Sequence, residues 1–302
     1  MKKLLQTLFT IIITTFSIVG FVGFFVIIFD NEYFQTTYKF DPKLAADFGT
    51  FFGGFIGTIF SIVSVLLLIY TIISQNSDSK RADLETNFFR MIDYHNQNVN
   101  QIKVTNLDTT KNDISEGRRT FVQFKIQIHR LLPIVSEVNI ENNLNLDKNQ
   151  QLDIAYIIFY YGLEGSWMTF ITEKLQRYPQ PAKISQKILE KLNAYPQLKY
   201  GRTNQTNLST YFRNMYNAIK MVDESRYLTT QQKQNLIKIY KAQLSNPELY
   251  IIFFNVLSRF GKKWKENGYI TKYEFLRNIP KDYCDGYDPK QYFPMIYEYE
   301  EY

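Results

Sequence analysis

Two long apolar stretches without a charged residue dominate the first quarter of this 302-residue sequence. They cover residues 4–29 and 48–73. Each is longer than the roughly 20 residues that a helix needs to cross about 30 Å of hydrocarbon. The first is also too long for the apolar region of a secretory signal, and a second stretch follows it closely. The sequence therefore predicts a two-helix transmembrane hairpin within residues 1–75, with the lipid bilayer as its partner.

The charges beside these stretches predict the orientation of the hairpin. Lys2 and Lys3 precede the first stretch, and Lys80 and Arg81 follow the second, whereas the connecting loop 30–47 is acidic. Positively charged flanks stay on the cytoplasmic side of a membrane. We therefore expect both termini to be cytoplasmic and the loop to be external, with residues 76–302 forming a cytoplasmic domain.

A glycine cluster lies in the second apolar stretch, at Gly53, Gly54 and Gly57. Small residues at this spacing let two helix backbones approach closely. One interpretation is packing against the first stretch, which carries Gly20 and Gly23. The alternatives are self-association into a homo-oligomer, through the hairpin or through the first cytoplasmic helix, and a pore lining.

The rest of the chain has the apolar period of α-helices, close to 3.6 residues. No Asn-Gly or Asp-Gly hairpin joins alternating runs, so we predict an all-α fold whose loops lie near 105–113, 139–150 and 178–183. Four apolar stripes define the expected helices: Leu84, Phe88, Met91, His95, Val99 and Ile102; Val122, Ile126, His129 and Leu132; Ile154, Ile157, Ile158 and Tyr161; and Leu208, Phe212, Met215, Ile219 and Val222.

Residues 241–257, KAQLSNPELYIIFFNVL, begin polar and become apolar. Asn246 is the predicted N-cap, Pro247 suits the first helical position, and Gly261 is the predicted stop. The apolar part, 249–254, is too short to cross a bilayer. We therefore predict a helix buried in the centre of the cytoplasmic domain.

Asn255 interrupts this apolar run and must find hydrogen-bond partners if it is buried. Gln243 and Ser245, which precede the helix, are candidates to satisfy it or other buried groups. A polar network that fixes helix register and a ligand site are both open interpretations.

The sequence offers no recognisable catalytic constellation, and we predict no metal and no cofactor. Cys284 is the single cysteine, and His95 and His129 are the only histidines. Arg90 and His95 fit the loose Arg-x4-His pattern of HEPN-type ribonucleases. Arg90 lies about 140° around the helix from His95, so a core or interface histidine is the alternative.

Charge is unevenly distributed along the cytoplasmic part. Residues 170–280 hold 19 Lys and Arg against 7 Asp and Glu, whereas the aromatic tail 281–302 holds two Lys against six acidic residues. The basic region could attract nucleic acid or anionic lipid, or be merely solvated. The acidic tail could fold over it, gate it or bind a partner.

Four segments resemble the phage abortive infection proteins of the AbiC type. They are TNFFRMIDYHNQNV (86–99), GRRTF (117–121), YGRTNQTNLSTYFRNMY (200–216) and YKAQLSNPELYIIFFNVLS (240–258). The resemblance implies a bacterial inner-membrane protein that limits phage propagation by harming or arresting the infected host. It implies no particular chemistry. Family members often carry a His directly after the Gly of the third segment, where this chain has Arg202.

The motif residues suggest one polar seam between two adjacent helices, in which Arg213 pairs with Glu248 and Arg202 holds an anion. The predicted seam comprises Gly201, Arg202, Tyr211, Arg213, Gln243, Ser245, Glu248 and Asn255. The leading hypothesis is a membrane-anchored defence protein whose cytoplasmic domain senses infection or binds a partner and acts through the membrane. The alternatives are a membrane-tethered HEPN-like ribonuclease and a module that binds nucleic acid or a phage protein through region 170–280.

Overall fold

The computed structural model describes residues 11, 14, 15, 17–22, 42–106, 114–194 and 203–301. Most of the predicted first span, most of the external loop, and the seam residues Gly201 and Arg202 lie outside the described residues. Contacts within the chain divide it into two units, Met1–Ile73 and Ser74–Tyr302.

The described part of the first unit is helical. Helix α1, Pro42–Phe51, begins inside the segment predicted as an external loop, because Pro suits the first turn of a helix. A π-helical turn, Phe52–Ile56, contains Gly53 and Gly54, and α2 then runs without a break from Gly57 to Gln101. Among the described residues, the helical stretch Gly49–Gln101 is the one long and apolar enough to cross a membrane. The most apolar 18 residues of this stretch have a mean hydropathy of 2.5, and none of them is buried.

The all-α fold class is confirmed, since helix accounts for 76% of the described residues and strand for 2%. The exception is a short antiparallel ribbon, β1 Lys103–Thr105 and β2 Ile114–Glu116, on either side of the predicted loop. The remaining α-helices are α3 Thr120–Glu141, α4 Lys148–Tyr161, α5 Met168–Lys174, α6 Pro181–Asn193, α7 Thr203–Asp223, α8 Thr230–Lys241, α9 Asn246–Leu257, α10 Lys262–Glu266, α11 Tyr269–Lys272 and α12 Pro289–Tyr292.

Two helices lie at the centre of the second unit. Every residue of α4 from Leu152 to Tyr160 is buried, and every residue of α9 from Glu248 to Val256 is buried. Helix α3 packs against both of them and against α6, while α7 packs against α4 and α8. The prediction of a short buried helix after residue 245 is therefore confirmed.

The apolar stripe predicted for α3 is wrong, because the helix buries a different face. Val122 is 44% exposed and His129 is also exposed. The buried stripe begins one residue earlier and comprises Phe121, Phe124, Ile128, Leu131, Val135 and Val138. Two overlapping sets of residues recur at helical spacing here, and only the positions of α4 and α9 decide which set is covered.

The ends of α9 also differ from the prediction. Ser245, not Asn246, is the N-cap, because Glu248 reaches back to accept hydrogen bonds from its backbone N–H at 2.8 Å and its hydroxyl at 2.6 Å. The helix ends at Leu257, four residues before the predicted stop. Gly261 instead lies in the 3₁₀ turn Arg259–Gly261, where a Cβ atom would come within 2.3 Å of the Cα atom of Val256.

The acidic tail folds back onto the helices of its own unit. The Lys125 ammonium lies 3.1 Å from the ring centroid of Tyr283, and Tyr287 packs against Phe254 of α9 with 5.5 Å between ring centroids. Asp285 accepts a hydrogen bond from the Tyr250 hydroxyl. The tail is thus part of the packed core around α3, α4 and α9.

Candidate functional site

The described residues of the predicted seam lie in two separate clusters. Tyr211 is fully buried and faces Glu248, whereas Arg213 is exposed. Two residues advance about 200° around a helix, so these side chains leave α7 on nearly opposite faces. The predicted ion pair between Arg213 and Glu248 is therefore wrong.

The first cluster surrounds the carboxylate of Glu248, which is 0% exposed. Besides the two bonds from Ser245, the Tyr211 hydroxyl donates to Oε1 at 3.4 Å. Arg118 Nη1 lies 3.7 Å from Oε2, and His95 Nε2 lies 3.9 Å from Oε1. Burial by itself would raise the pKa of Glu248, but the His95 imidazole, the Ser245 bonds and the Arg118 charge outweigh it and hold that pKa below its usual value.

Arg118 is the member of this cluster that sequence reasoning missed. Its Nη2 donates to Asn96 Oδ1 at 3.0 Å, and its Nη1 donates to the backbone carbonyl of Gln243. The sequence feature that could have pointed to Arg118 is the GRRTF segment, which is one of the four segments that resemble the family. Arg118 therefore joins α2 to the segment that leads into α9.

All four family-like segments meet at this cluster. Segment 86–99 supplies His95 and Asn96, segment 117–121 supplies Arg118, segment 200–216 supplies Tyr211, and segment 240–258 supplies Gln243, Ser245 and Glu248. The fold thus brings residues that are distant in sequence into one charged cluster. The arrangement fixes the register of α2, α7 and α9.

His95 is a core residue in this structure. It is 0% exposed, and its ring lies 4.8 Å from the Tyr211 ring and 5.2 Å from the Tyr240 ring. Neither of its ring nitrogens forms a hydrogen bond with a described residue. Arg90 is exposed on another face of α2, so the two candidate ribonuclease residues do not share a surface.

Asn255 finds its partner in a neighbouring helix. Its Nδ2 donates to the hydroxyl of Tyr156 in α4 at 2.9 Å. The expected partners Gln243 and Ser245 are out of reach, because ten residues of helix separate Ser245 from Asn255 by about 15 Å. Burial raises the pKa of Tyr156 well above its usual value, so its hydroxyl remains protonated.

The second cluster is a half-open cavity of about 220 Å³ that Asn255 and Arg213 both line. Lys263 and Ser209 also contribute to its wall. Five aromatic residues complete it: Tyr160, Phe212, Tyr216, Phe260 and Trp264. The cavity thus combines two cations and a carboxamide with aromatic rings.

The aromatic walls are held by contacts between rings. Tyr160 and Phe260 lie 4.4 Å apart, and Tyr216 and Trp264 lie 5.9 Å apart, both measured between ring centroids. Burial raises the pKa of Tyr160, and the positive charge of Arg213 opposes that rise only in part. Trp264 and Tyr160 are only 3% and 8% exposed, so the half-buried rings of Phe212, Tyr216 and Phe260 supply most of the aromatic surface of the cavity.

Three basic residues of region 170–280, Lys191, Arg259 and Arg277, pair with acidic residues outside it. Lys191 contacts both Glu137 and Glu141, and Arg259 pairs with Asp153. The basic excess of the region is therefore smaller on the surface than in the sequence. Among the described residues, no group of three His, Cys, Asp or Glu side chains is placed to hold a metal ion.

The glycine cluster lies at the start of the long apolar helix. An added Cβ atom at Gly53, Gly54 or Gly57 would have no described heavy atom within 4 Å. Their predicted role in helix packing stays a prediction.

The described chain is thus a helical protein with an exposed apolar helix, a buried charged cluster and an aromatic cavity. Residues 203–284 match the model of the family described as "Putative phage abortive infection protein". The resemblance seen in the sequence is confirmed over this stretch, which holds Tyr211, Arg213, Gln243, Ser245, Glu248 and Asn255. No curated protein and no solved structure matches the chain.

Proposed function

We propose that this chain is an anti-phage defence protein of the abortive infection type. In this proposal, a two-helix hairpin anchors it in the bacterial inner membrane, both termini are cytoplasmic, and unit Ser74–Tyr302 detects infection or binds a partner and acts through the membrane. The observation that carries the proposal is the family match over 203–284. That stretch contributes to both the Glu248 cluster and the aromatic cavity.

The exposed apolar surface of the first unit supports the membrane anchor. Large apolar side chains along it are between 44% and 64% exposed: Phe51, Phe55, Phe60, Ile62, Val65, Leu66, Leu68, Ile69, Ile72 and Ile73. Apolar surface costs about 25 cal/mol per Å² when it faces water. A lipid environment removes this cost around the whole helix.

The Glu248 cluster supports a structural role over a catalytic one. His95 and Glu248 are each 0% exposed, so no substrate reaches the histidine or the carboxylate without opening the core. A charged network of this kind stabilises one arrangement of helices. A partner that altered it would change how α2, α7 and α9 pack.

The anchor can be tested with Leu66→Lys together with Ile69→Lys, both at exposed positions of the apolar helix. Each charge at the centre of a membrane helix costs about 2.5–3.5 kcal/mol, so we expect the double variant to leave the membrane fraction and to lose protection. Ser77→Lys, at an exposed position beyond the apolar stretch, is the matched control and should retain both. Full protection by a double variant found only in the soluble fraction would refute the anchor.

The mode of action can be tested by following membrane potential and total RNA in the same infected cells. Early loss of potential with intact RNA, absent from cells without the protein, is the expected result. Fragmentation of RNA before any loss of potential would refute action through the membrane. It would return attention to the ribonuclease alternative.

A further inference from the structure

We propose that the cavity between α7, α9 and α10 binds a nucleoside phosphate, with its base among the aromatic rings and its phosphate on Arg213 and Lys263. This inference does not depend on membrane anchoring or on the response to phage. A free nucleotide and the end of a nucleic acid strand share this chemistry, and the experiment below distinguishes them.

The aromatic rings of the cavity suit a planar base. Trp264 is 3% exposed, so its ring is fixed by its surroundings, and Tyr216 packs against it. Tyr160 and Phe260 form a second pair of rings in the wall. Bases stack on aromatic side chains irrespective of sequence, because every base has a π-face.

Asn255 supplies an acceptor for the edge of a base. Its side chain is 2% exposed and lines the cavity, and its Nδ2 is occupied by the Tyr156 hydroxyl. The carbonyl oxygen Oδ1 of the same carboxamide is a hydrogen-bond acceptor. The exocyclic amino group of a base can donate to this oxygen.

Two cations at the same cavity suit a phosphate. Arg213 and Lys263 are exposed, and within the described part of the chain neither side chain forms a hydrogen bond or an ion pair. Two nearby basic residues already have acidic partners: Arg259 pairs with Asp153, and Lys262 pairs with Glu266 at 3.4 Å. An Arg beside a Lys can bind a phosphate through charge-assisted hydrogen bonds.

The size of the cavity limits the ligand. Its volume of about 220 Å³ is below the 300–1,000 Å³ common for drug-sized ligands. The proposed ligand therefore places only its base in the cavity, and its sugar and phosphate remain at the open side. All lining residues except Tyr160 lie within residues 203–284, the stretch that matches the family model.

Binding can be measured on the full-length chain in detergent micelles at low salt. Trp167→Phe leaves Trp264 as the single tryptophan reporter, and a stacked base should quench its fluorescence saturably. The probes are AMP, GMP, CMP and UMP, then adenosine and inorganic phosphate separately. We expect adenosine and phosphate each to bind about tenfold more weakly than AMP, because each loses one charged or stacking contact.

Three variants in the same background locate the site. Arg213→Ala and Lys263→Ala should each weaken AMP binding about tenfold. Lys265→Ala, an exposed lysine of the same short helix that does not line the cavity, should not change it. If a 5′-phosphorylated oligonucleotide binds more tightly than AMP, the ligand is the end of a nucleic acid strand. If AMP binds more tightly, the ligand is a free nucleotide.

The proposal is overturned if no mononucleotide quenches Trp264 saturably at millimolar concentrations. It is also overturned if quenching survives both Arg213→Ala and Lys263→Ala, or if N-acetyltyrosine binds as tightly as AMP, since the site would then select an aromatic carboxylate. These assays contain no phage and no membrane potential. Their failure therefore leaves the proposed defence function untouched.

Discussion

Arg259 and Asp153 join the end of α9 to the beginning of α4 through two hydrogen bonds. The Arg259 backbone N–H donates to Asp153 Oδ1 at 2.7 Å, and its Nε donates to Oδ2 at 2.8 Å. The Tyr178 hydroxyl also donates to Oδ2. One buried carboxylate therefore holds the ends of the two central helices and the loop before α6.

Asp153→Ala should lower the free energy of unfolding by about 3 kcal/mol, because it leaves the largely buried Arg259 without its counter-charge. Thermal unfolding followed by circular dichroism measures the loss. Glu190→Gln, which removes the exposed partner of Lys187, is the control and should leave the melting temperature unchanged. Equal effects of the two changes would contradict a structural role for Asp153.

Glu248 should make stability depend on pH in the acid range. The pKa of Glu248 is lower in the folded chain than the ordinary value of about 4.3. The ionised carboxylate therefore makes its full contribution to the free energy of unfolding above that value, and the contribution is lost as pH falls toward the folded-state pKa. The difference in melting temperature between wild type and Glu248→Gln should therefore shrink below about pH 4.3. Glu164→Gln, at an exposed position, is the control for loss of a carboxyl. A difference that stays constant down to pH 3 would contradict the prediction.

Gly261→Ala should destabilise the protein by at least about 2 kcal/mol. The new Cβ atom would lie 2.3 Å from Val256 Cα and 2.5 Å from the Asn255 carbonyl oxygen, and backbone atoms cannot move aside as a flexible side chain can. Gly165→Ala is the matched control, since its Cβ atom would meet no described heavy atom within 4 Å. Chemical denaturation of both variants gives the comparison, and similar stability of the two would count against the close approach.

Cys284 should resist alkylation while the chain is folded. Its side chain is 1% exposed, and burial together with the Asp285 charge raises the pKa of its thiol well above the usual value. Because the thiolate is the nucleophile, iodoacetamide at pH 8 should label it only after denaturation. Asn217→Cys adds a thiol at an exposed position of α7 and serves as the control, with one label expected in the folded state. Rapid native labelling of the unmodified chain would show that the tail opens.

Gly53→Leu together with Gly57→Leu should reduce protection against phage if close helix packing in the membrane is part of the mechanism. The added side chains keep two backbones apart. Ile62→Leu with Val65→Leu, at exposed apolar positions of the same helix, is the control and should retain protection. Plating efficiency of phage on cells with equal amounts of each variant measures the effect. Protection that survives both glycine changes would argue strongly against helix packing.

The local sequence determined which segments of this protein form helices, because helix formation depends on the spacing of apolar and polar residues that are close in sequence. The stripe on α7, with Leu208, Met215 and Ile219 buried, follows from helical period alone. The central position of α9 follows from its continuous apolar run. The uncharged stretch 48–73 required an exposed apolar helix or a membrane, whatever the rest of the chain did.

Tertiary structure decided which side chains meet. Tyr211 and Arg213 are two residues apart, yet the rotation of α7 sends one to Glu248 and the other to the cavity. Asn255 bonds to Tyr156, a residue 99 positions away, and no local rule selects that partner. The stripe of α3 has two possible faces, and the helices that pack against it cover only one. Helical period fixes the angles between side chains on one helix, but the direction in which each helix faces is set only when the whole core packs.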